Sequence, residues 1–528
     1  MKFEESDHVP AGSVLTADIC VIGSGAAGVA LACELNGSRR SVILLEAGGL
    51  QQNQLREDEL FAIEHLGLPH TNKIPTRGRW YGGSTNLWFG RIALPDPIDL
   101  TARSWVPWSG WPLSYEQLAP WLARAGALLE VPHFDKLQIE NWPTNPTIQT
   151  FQQEGTSSLG VFLWADGALM GATHRKTLEA SKNVRLLLDS TATELVPNEA
   201  STHIDSLETC GRFGNRFTIQ ASTYVLAAGA LENTRLLLRS TRRSAAGIAN
   251  ERDLVGRFYM DHPRGDGLGR VDLTDLSKEQ RERLTLLGEK RKSRFGKVQM
   301  RLTFSPDMQR KEGLLNHSLH AHLTSPMHDL AAFQSAKRLL ARLKRGPSDE
   351  GSPRKDLLAV GTGAPELLGA GLRSVIARNE PSTLITVDQM EQVPDPESRV
   401  TLDWERRNRW GIPALQLNWK IGEATYRSQQ RMHGLFKSIL EKHGIFSLRS
   451  QLLEKPDELP PLQDMKHHSG TTRMSSSAAD GVVDADLRAH NIKNLYVTGS
   501  STFPTVGHFN PTLLIVALAA RLASRLRD

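Results

Sequence analysis

Cysteine is scarce in this chain, with Cys20, Cys33 and Cys210 the three examples in 528 residues. So small and odd a set supplies no disulfide framework and fits a reducing compartment. No apolar run approaches the ~18 residues that a spanning helix needs. The best candidate, Leu513 to Ala520, is stopped by Arg521. The opening residues, MKFEESDHVP, are acidic and lack an apolar centre. No secretory leader and no transmembrane segment are expected, and a cytoplasmic location is. Charge of one sign is not concentrated either: 63 basic residues face 58 acidic ones, a net +5 without a dominant block. That gives no argument for a nucleic-acid partner. Glycine and proline, 43 and 27 residues, are near ordinary usage, which excludes a collagen-like or low-complexity chain. What is left is a globular composition, 39% hydrophobic and 23% charged, on a chain long enough for two or three domains.

The most legible stretch is near the start. Ala17 to Gly23 reads as a short buried strand, Val29 to Asn36 as a helix ended by Gly37, and Ser41 to Glu46 as a second apolar strand ending in an acid. Further along, Ser114 to Leu129 is expected to be helical, opened by Ser114 with Gln117 three residues on. Residues 184–196, 216–228, 315–323 and 384–393 read as strands, and 230–239 as a helix. A basic helical segment at 328–345 is followed by a linker at 346–353. Strand 494–498 and helix 511–526 return the C-terminus to α/β texture. Doubly wound segments at both ends predict a mixed α/β fold with a discontinuous Rossmann-like dinucleotide domain, residues 14–265 and 462–528. A second domain, 266–461, is expected to hold an antiparallel sheet packed by helices.

Three constellations carry chemistry. In Gly23-x-Gly25-x-x-Gly28, glycine allows the tight turn and the close approach of backbone to a pyrophosphate. The helix that follows offers free N–H groups to phosphate, and Glu46 can accept from a ribose diol, so FAD or NAD is expected rather than NADP. Arg77-Gly78-Arg79-Trp80-Tyr81-Gly82-Gly83-Ser84-Thr85-Asn86-Leu87-Trp88 can wrap a flat, anionic ligand. His467-His468-Ser469-Gly470-Thr471-Thr472-Arg473-Met474 is followed downstream by Gly507-His508-Phe509-Asn510-Pro511-Thr512, where Pro511 opens a helix.

Together these segments resemble the glucose-methanol-choline (GMC) oxidoreductases. Arg77-Gly78-Arg79-x-x-Gly82-Gly83-Ser84 is similar to the family's N-terminal signature, and Val225 to Ala230 with Glu232-Asn233 to its middle strand and helix. His467-x-x-Gly470-Thr471-x-Arg473-Met474, Asn494 to Ser501 and Asn510-Pro511-Thr512 are similar to its C-terminal region. Within residues 266–460 the likeness is confined to Glu391-Gln392-x-Pro394 and Ser398-Arg399-Val400. The Gly82–Trp88 loop and the Asn510 ending look most like the pyranose oxidase and sugar dehydrogenase branch.

The resemblance implies an FAD enzyme that oxidises an alcohol, a sugar or glycoside hydroxyl, by hydride transfer to flavin N5. It implies His467 as the base and Asn510 as the second active-site residue. It implies cofactor contacts from Gly23, Gly25, Gly28, Glu46, Gly83, Ser84, Asn86, Thr193, Gly499, Ser500, Pro511 and Thr512. Leu87 stands where the pyranose oxidase branch has a flavin-linked His, so the FAD is expected to be non-covalent. The expected partner is a small-molecule alcohol or carbohydrate, with oxygen, a quinone or another acceptor taking the electrons. The alternatives are a sterol, choline-like or aliphatic alcohol, a flavin-binding protein without turnover, and, from the glycine turn alone, a nicotinamide dehydrogenase. His317, His320 and His322 are expected to line a substrate sheet rather than hold a metal, with His317 on the opposite face. Asp261-His262-Pro263 reads as a structural loop stop.

Overall fold

Strand Val14–Ile22 ends in four buried residues, helix Ala26–Leu35 is nearly all buried, and strand Val42–Leu45 is buried throughout. Apolar on every side, these elements belong inside a layered sheet rather than at its surface. The computed structural model describes residues 3–53, 63–70, 77–288, 291–293, 295–324, 352–365 and 382–527, with scattered positions between 332 and 340. In it, Phe3–Glu5, Val184–Leu188, Val42–Leu45, Val14–Ile22, Arg216–Leu226 and Leu495–Val497 lie side by side, all parallel. Thr191–Pro197 and Ile204–Cys210 extend this eight-stranded sheet in antiparallel fashion. The last parallel strand comes from the far end of the chain, so the Rossmann-like unit is discontinuous. Helices Tyr115–Leu128 and Thr512–Leu526 pack with Ala26–Leu35 on one side of it.

The second layer is a nine-stranded sheet whose pairings are all antiparallel. Its main order is Leu448–Ser450, Pro263–Asp272, Thr383–Met390, His317–Thr324, Gly296–Phe304, Ser157–Trp164 and Arg91–Ile92. Arg91–Ile92 and Ser157–Trp164 come from within residues 14–265, and Pro263–Asp272 runs across the expected boundary at 265, so this sheet draws strands from both expected segments. The amphipathic helix Glu423–Lys442 covers one face. A three-stranded sheet, Arg399–Arg407, Pro413–Asn418 and Ile63–His65, completes the fold.

Most expected elements appear within a few residues. Ser114 caps its helix as expected: Gln117 N donates to Ser114 Oγ at 3.3 Å and Ser114 N to Gln117 Oε1 at 2.9 Å. Residues 184–196 differ, forming two strands instead of one. The break is at Asp189, whose φ is 53°, and there the backbone turns to bond Gly48 and Glu46. Most of the expected basic helix at 328–345, and the linker after it, lie outside the described residues. No helix among the described residues is long and apolar enough to cross a membrane.

Candidate active site

The glycine turn forms a cradle for a reason visible at each position. Gly23 has φ 105°, and a Cβ there would meet Ala228 Cα at 2.7 Å. At Gly28 a Cβ would overlap the carbonyl oxygen of Gly23. Gly25, at the helix N-terminus, has nothing within 4 Å of that position, and no side chain caps the helix. The first and third glycines close the turn; the middle one leaves its backbone open to a ligand.

Glu46 ends the next strand with its carboxylate held in place. Oε2 accepts from Ser24 N at 3.2 Å and Ser24 Oγ at 2.6 Å, and Oε1 from Gly48 N at 2.9 Å. Burial raises its pKa against these bonds and the Arg79 charge. Beside it is a recess lined by Gly48, Gly49, Arg79, Asp189 and Thr191. Thr193, two residues further on, sits at a strand irregularity with its hydroxyl donating to Glu208 O at 3.0 Å.

The Arg77–Trp88 loop lies directly on this cradle. Gly82 N donates to Ser24 O at 3.1 Å, and a Cβ on Gly83 would meet Gly25 Cα at 2.8 Å. Asn86 Nδ2 folds the loop by bonding Tyr81 O and Gly83 O, both at 3.0 Å. Ser84 Oγ accepts from Gly78 N at 3.2 Å. Arg77 pairs with Glu232 at 2.7 Å, which ties the loop to helix Ala230–Arg239.

His467 is placed by two neighbouring segments. Met260 and Ser469 exchange backbone hydrogen bonds at 3.0 and 2.9 Å, and Gly470 N donates to Ser500 O at 3.0 Å. Ser500 Oγ donates to His468 O at 2.6 Å, while Gly499, at φ 103°, leaves open space beside its backbone. Asp261 Oδ1 accepts from the backbone N–H of His262, Met465 and His467 at 2.6, 3.1 and 3.0 Å. Burial and the nearby Asp464 nevertheless raise the Asp261 carboxyl to about 8.

The His467 ring meets His262 with the two Nδ1 atoms 2.9 Å apart. Burial pushes the His262 pKa down to about 3, so that ring is neutral and carries one N–H. Its Nε2 lies 3.1 Å from the acceptor Val506 O, which fixes the proton there. His262 Nδ1 is then an acceptor, and His467 Nδ1–H is the donor. The lone pair of His467 therefore sits on Nε2, which has no partner among the described residues. Burial first, then His262 and Arg91, depress the His467 pKa well below the ordinary value of 6.5.

Asn510 is held from both ends. Its Oδ1 accepts from Gln389 Nε2 at 3.0 Å, and its Nδ2 donates to Arg91 O at 2.7 Å. Arg91 in turn reaches His320 Nε2 at 3.1 Å and Gln389 Oε1 at 3.3 Å. Pro511 and Thr512 open the buried C-terminal helix, whose N-terminus has no side-chain cap. His317 is on the other face of its strand, 3.1 Å from Asp388. Arg91 connects His467 and Asn510: its charge acts on His467, and its carbonyl oxygen accepts from Asn510. His262, Arg91 and Gln389 were not singled out as functional in the sequence. The Asp261-His262-Pro263 motif was the one available signal among them.

Behind this pair, His70, Asp261 and His468 place ligand-type atoms within 4.8 Å of one another, as do Asp261, His262 and His467. In the second trio the ring nitrogens are already bonded to each other. In the first, Asp261 Oδ2 and His468 Nε2 are buried without hydrogen-bond partners among the described residues.

A dinucleotide with a flat ring fits these residues: an open glycine backbone at an uncapped helix end, a fixed carboxylate beyond it, and unfilled backbone space at Gly229 and Gly499. Comparison with known proteins agrees. Residues 394–519 match the family model described as GMC oxidoreductase. The fructose dehydrogenase large subunit of Gluconobacter japonicus is 24% identical, over 96% of this chain and 97% of that protein. The 2-methyl-1,2-propanediol dehydrogenase of Mycolicibacterium austroafricanum is 23% identical over 96% and 94%. A crystal structure of formate oxidase shares the fold with a TM-score of 0.57 at 17% identity, covering 98% of both chains. The protein is an FAD-dependent oxidoreductase acting on CH–OH donors. Within that class its likeness, carried by the model match over residues 394–519, is to the GMC oxidoreductases.

Proposed function

We propose that this enzyme oxidises a sugar or glycoside hydroxyl to a carbonyl, with His467 Nε2 taking the hydroxyl proton. The observation that carries this reading is the Nδ1–Nδ1 contact of His262 and His467 at 2.9 Å, anchored by Val506 O. It presents a neutral imidazole with its lone pair on the unpartnered nitrogen, which is what a general base requires. Asn510, fixed by Gln389 and Arg91, keeps one N–H and one oxygen lone pair free to orient the same hydroxyl. FAD, when bound, supplies the two-electron acceptor for the carbinol hydrogen. Gly23, Gly25, Gly28 and Glu46 would hold its adenosine diphosphate end. Gly83, Ser84, Asn86, Gly499, Ser500, Pro511 and Thr512 would meet the flavin half, and Thr193 would support the adenine side.

A sugar is favoured by the full-length likeness to a fructose dehydrogenase subunit. The likeness to a propanediol dehydrogenase supports a second reading, a small aliphatic alcohol. Three unpaired cysteines fit a cytoplasmic site of action. Anaerobic reduction of the FAD-loaded enzyme by its alcohol tests the assignment. His467→Ala should slow reduction by about 10²-fold or more with FAD retained. An unchanged rate would overturn it.

A further inference from the structure

The strand register gathers positive charge on one face of the nine-stranded sheet. Residues directly opposite in an antiparallel pair project to the same face. Arg91 opposes Trp164, Gly160 opposes Arg301, Thr303 opposes Ser318, and Gln389 opposes both Ser318 and Arg264. Stepping by two along each strand puts Arg91, Phe162, Arg301, His320, Gln389 and Arg264 on that common face. Asn510 bonds Gln389 there. The guanidinium carbons of Arg91 and Arg301 lie 4.2 and 4.5 Å from the centroid of the Phe162 ring.

Two of the three guanidiniums have acids to answer them. Arg264 Nε donates to Asp266 Oδ1 at 2.7 Å. Arg301 makes no ion pair among the described residues but lies in the field of Asp96, whose carboxyl the interaction with His508, the Arg301 charge and the Asn316 hydrogen bond hold below its ordinary value. Asp99, nearby, is pushed well above the ordinary carboxyl value by burial and by Asp96, and adds no compensating charge. Arg91 has no carboxylate partner among the described residues. Its two partners, His320 and Gln389, are both neutral, so three of its five N–H groups have no partner among the described residues. The residue as a whole is part-buried. A guanidinium drawn partly out of water without a counter-ion is costly, and its fork matches a carboxylate. One unmatched positive charge calls for a single negative charge.

We propose that the substrate is a hydroxy acid, an alcohol that also carries a carboxylate, which the Arg91 fork receives while the hydroxyl faces His467 and Asn510. This rests on the alcohol-oxidising reading above and narrows its substrate class: sugar acids and uronosides fit, and an alcohol bearing an ammonium group is repelled.

The test compares matched substrates on the FAD-loaded enzyme: a methyl glucoside against the corresponding uronoside, a short diol against the corresponding hydroxy acid, and an amino alcohol. The acids should show kcat/KM about 10- to 100-fold above their neutral partners, the range of one charged hydrogen-bonded contact. Arg91→Gln should collapse that ratio mainly through KM, and Arg91→Lys should keep part of it. Neutral alcohols used equally well or better would overturn the proposal while leaving alcohol oxidation intact. So would an Arg91→Gln variant that shifts only the flavin midpoint potential. If no alcohol of either kind reduces the flavin, titration with propanoate decides. A spectral shift in the wild type that is lost in Arg91→Gln keeps the anion site and sinks the oxidation reading. No shift sinks both.

Discussion

His262 sets which nitrogen of His467 can act, and replacing it by two amides separates its two roles. Glutamine at this position keeps a donor near Val506 O but removes the acceptor at Nδ1; asparagine keeps an acceptor near Nδ1. In the His262→Gln variant the His467 Nδ1–H loses its partner, a contact of 2.9 Å in the wild type. An unmatched buried donor costs about 1–3 kcal/mol, and the ring is freed to move its proton to Nε2. At ~1.4 kcal/mol per factor of ten, flavin reduction should slow by roughly 5- to 150-fold. His262→Asn should stay within a few-fold of the wild type. The assay is single-turnover anaerobic reduction followed by flavin absorbance. Groups that act as a unit are not additive, so His262→Gln combined with His467→Ala should be little slower than His467→Ala alone. A wild-type rate in His262→Gln, or full additivity in the double variant, would refute the tautomer argument.

Other consequences are open to simple measurement. Glu46→Ala should weaken FAD retention, seen by equilibrium dialysis, without altering the order of substrate preference. Leu87 has no nucleophile, so acid denaturation should release all flavin colour into the supernatant; colour retained on the chain would mean another residue makes a bond. Asp261 is held protonated up to about 8 by burial and Asp464, whereas the unfolded group ionises near 3.8. Between those values the native state binds the extra proton, so this group's contribution to stability falls as pH rises. Asp261→Asn keeps an oxygen for the three backbone donors and should narrow the difference in melting temperature between mildly acidic and mildly alkaline buffer.

What could be read from the sequence was local. The strand–turn–helix at Gly23 to Gly28 and the Ser114–Gln117 cap are written in neighbouring residues, because one backbone turn and one side chain decide them. The break at Asp189 was hidden inside an apolar run. It depends on backbone bonds to Gly48 and Glu46, which nothing in residues 184–196 announces. The support around Asn510 was equally illegible. Arg91, Gln389 and Asn510 come from three distant segments and meet only through the register of the antiparallel sheet. His262 had a motif, but its partner His467 is 205 residues away, and only the folded pairing of Met260 with Ser469 sets the rings edge to face.

The most direct measurement is anaerobic mixing of the purified FAD-loaded enzyme with a panel of sugars, glycosides, sugar acids and small alcohols, following flavin absorbance across pH. Bleaching should occur with carbonyl product formed one-for-one. Because burial and the neighbouring charges hold His467 neutral well below 6.5, the rate should stay on its plateau as pH falls through that value. An enzyme whose flavin no alcohol in the panel bleaches, or whose rate collapses on an acid limb at or above that pH, would contradict the account.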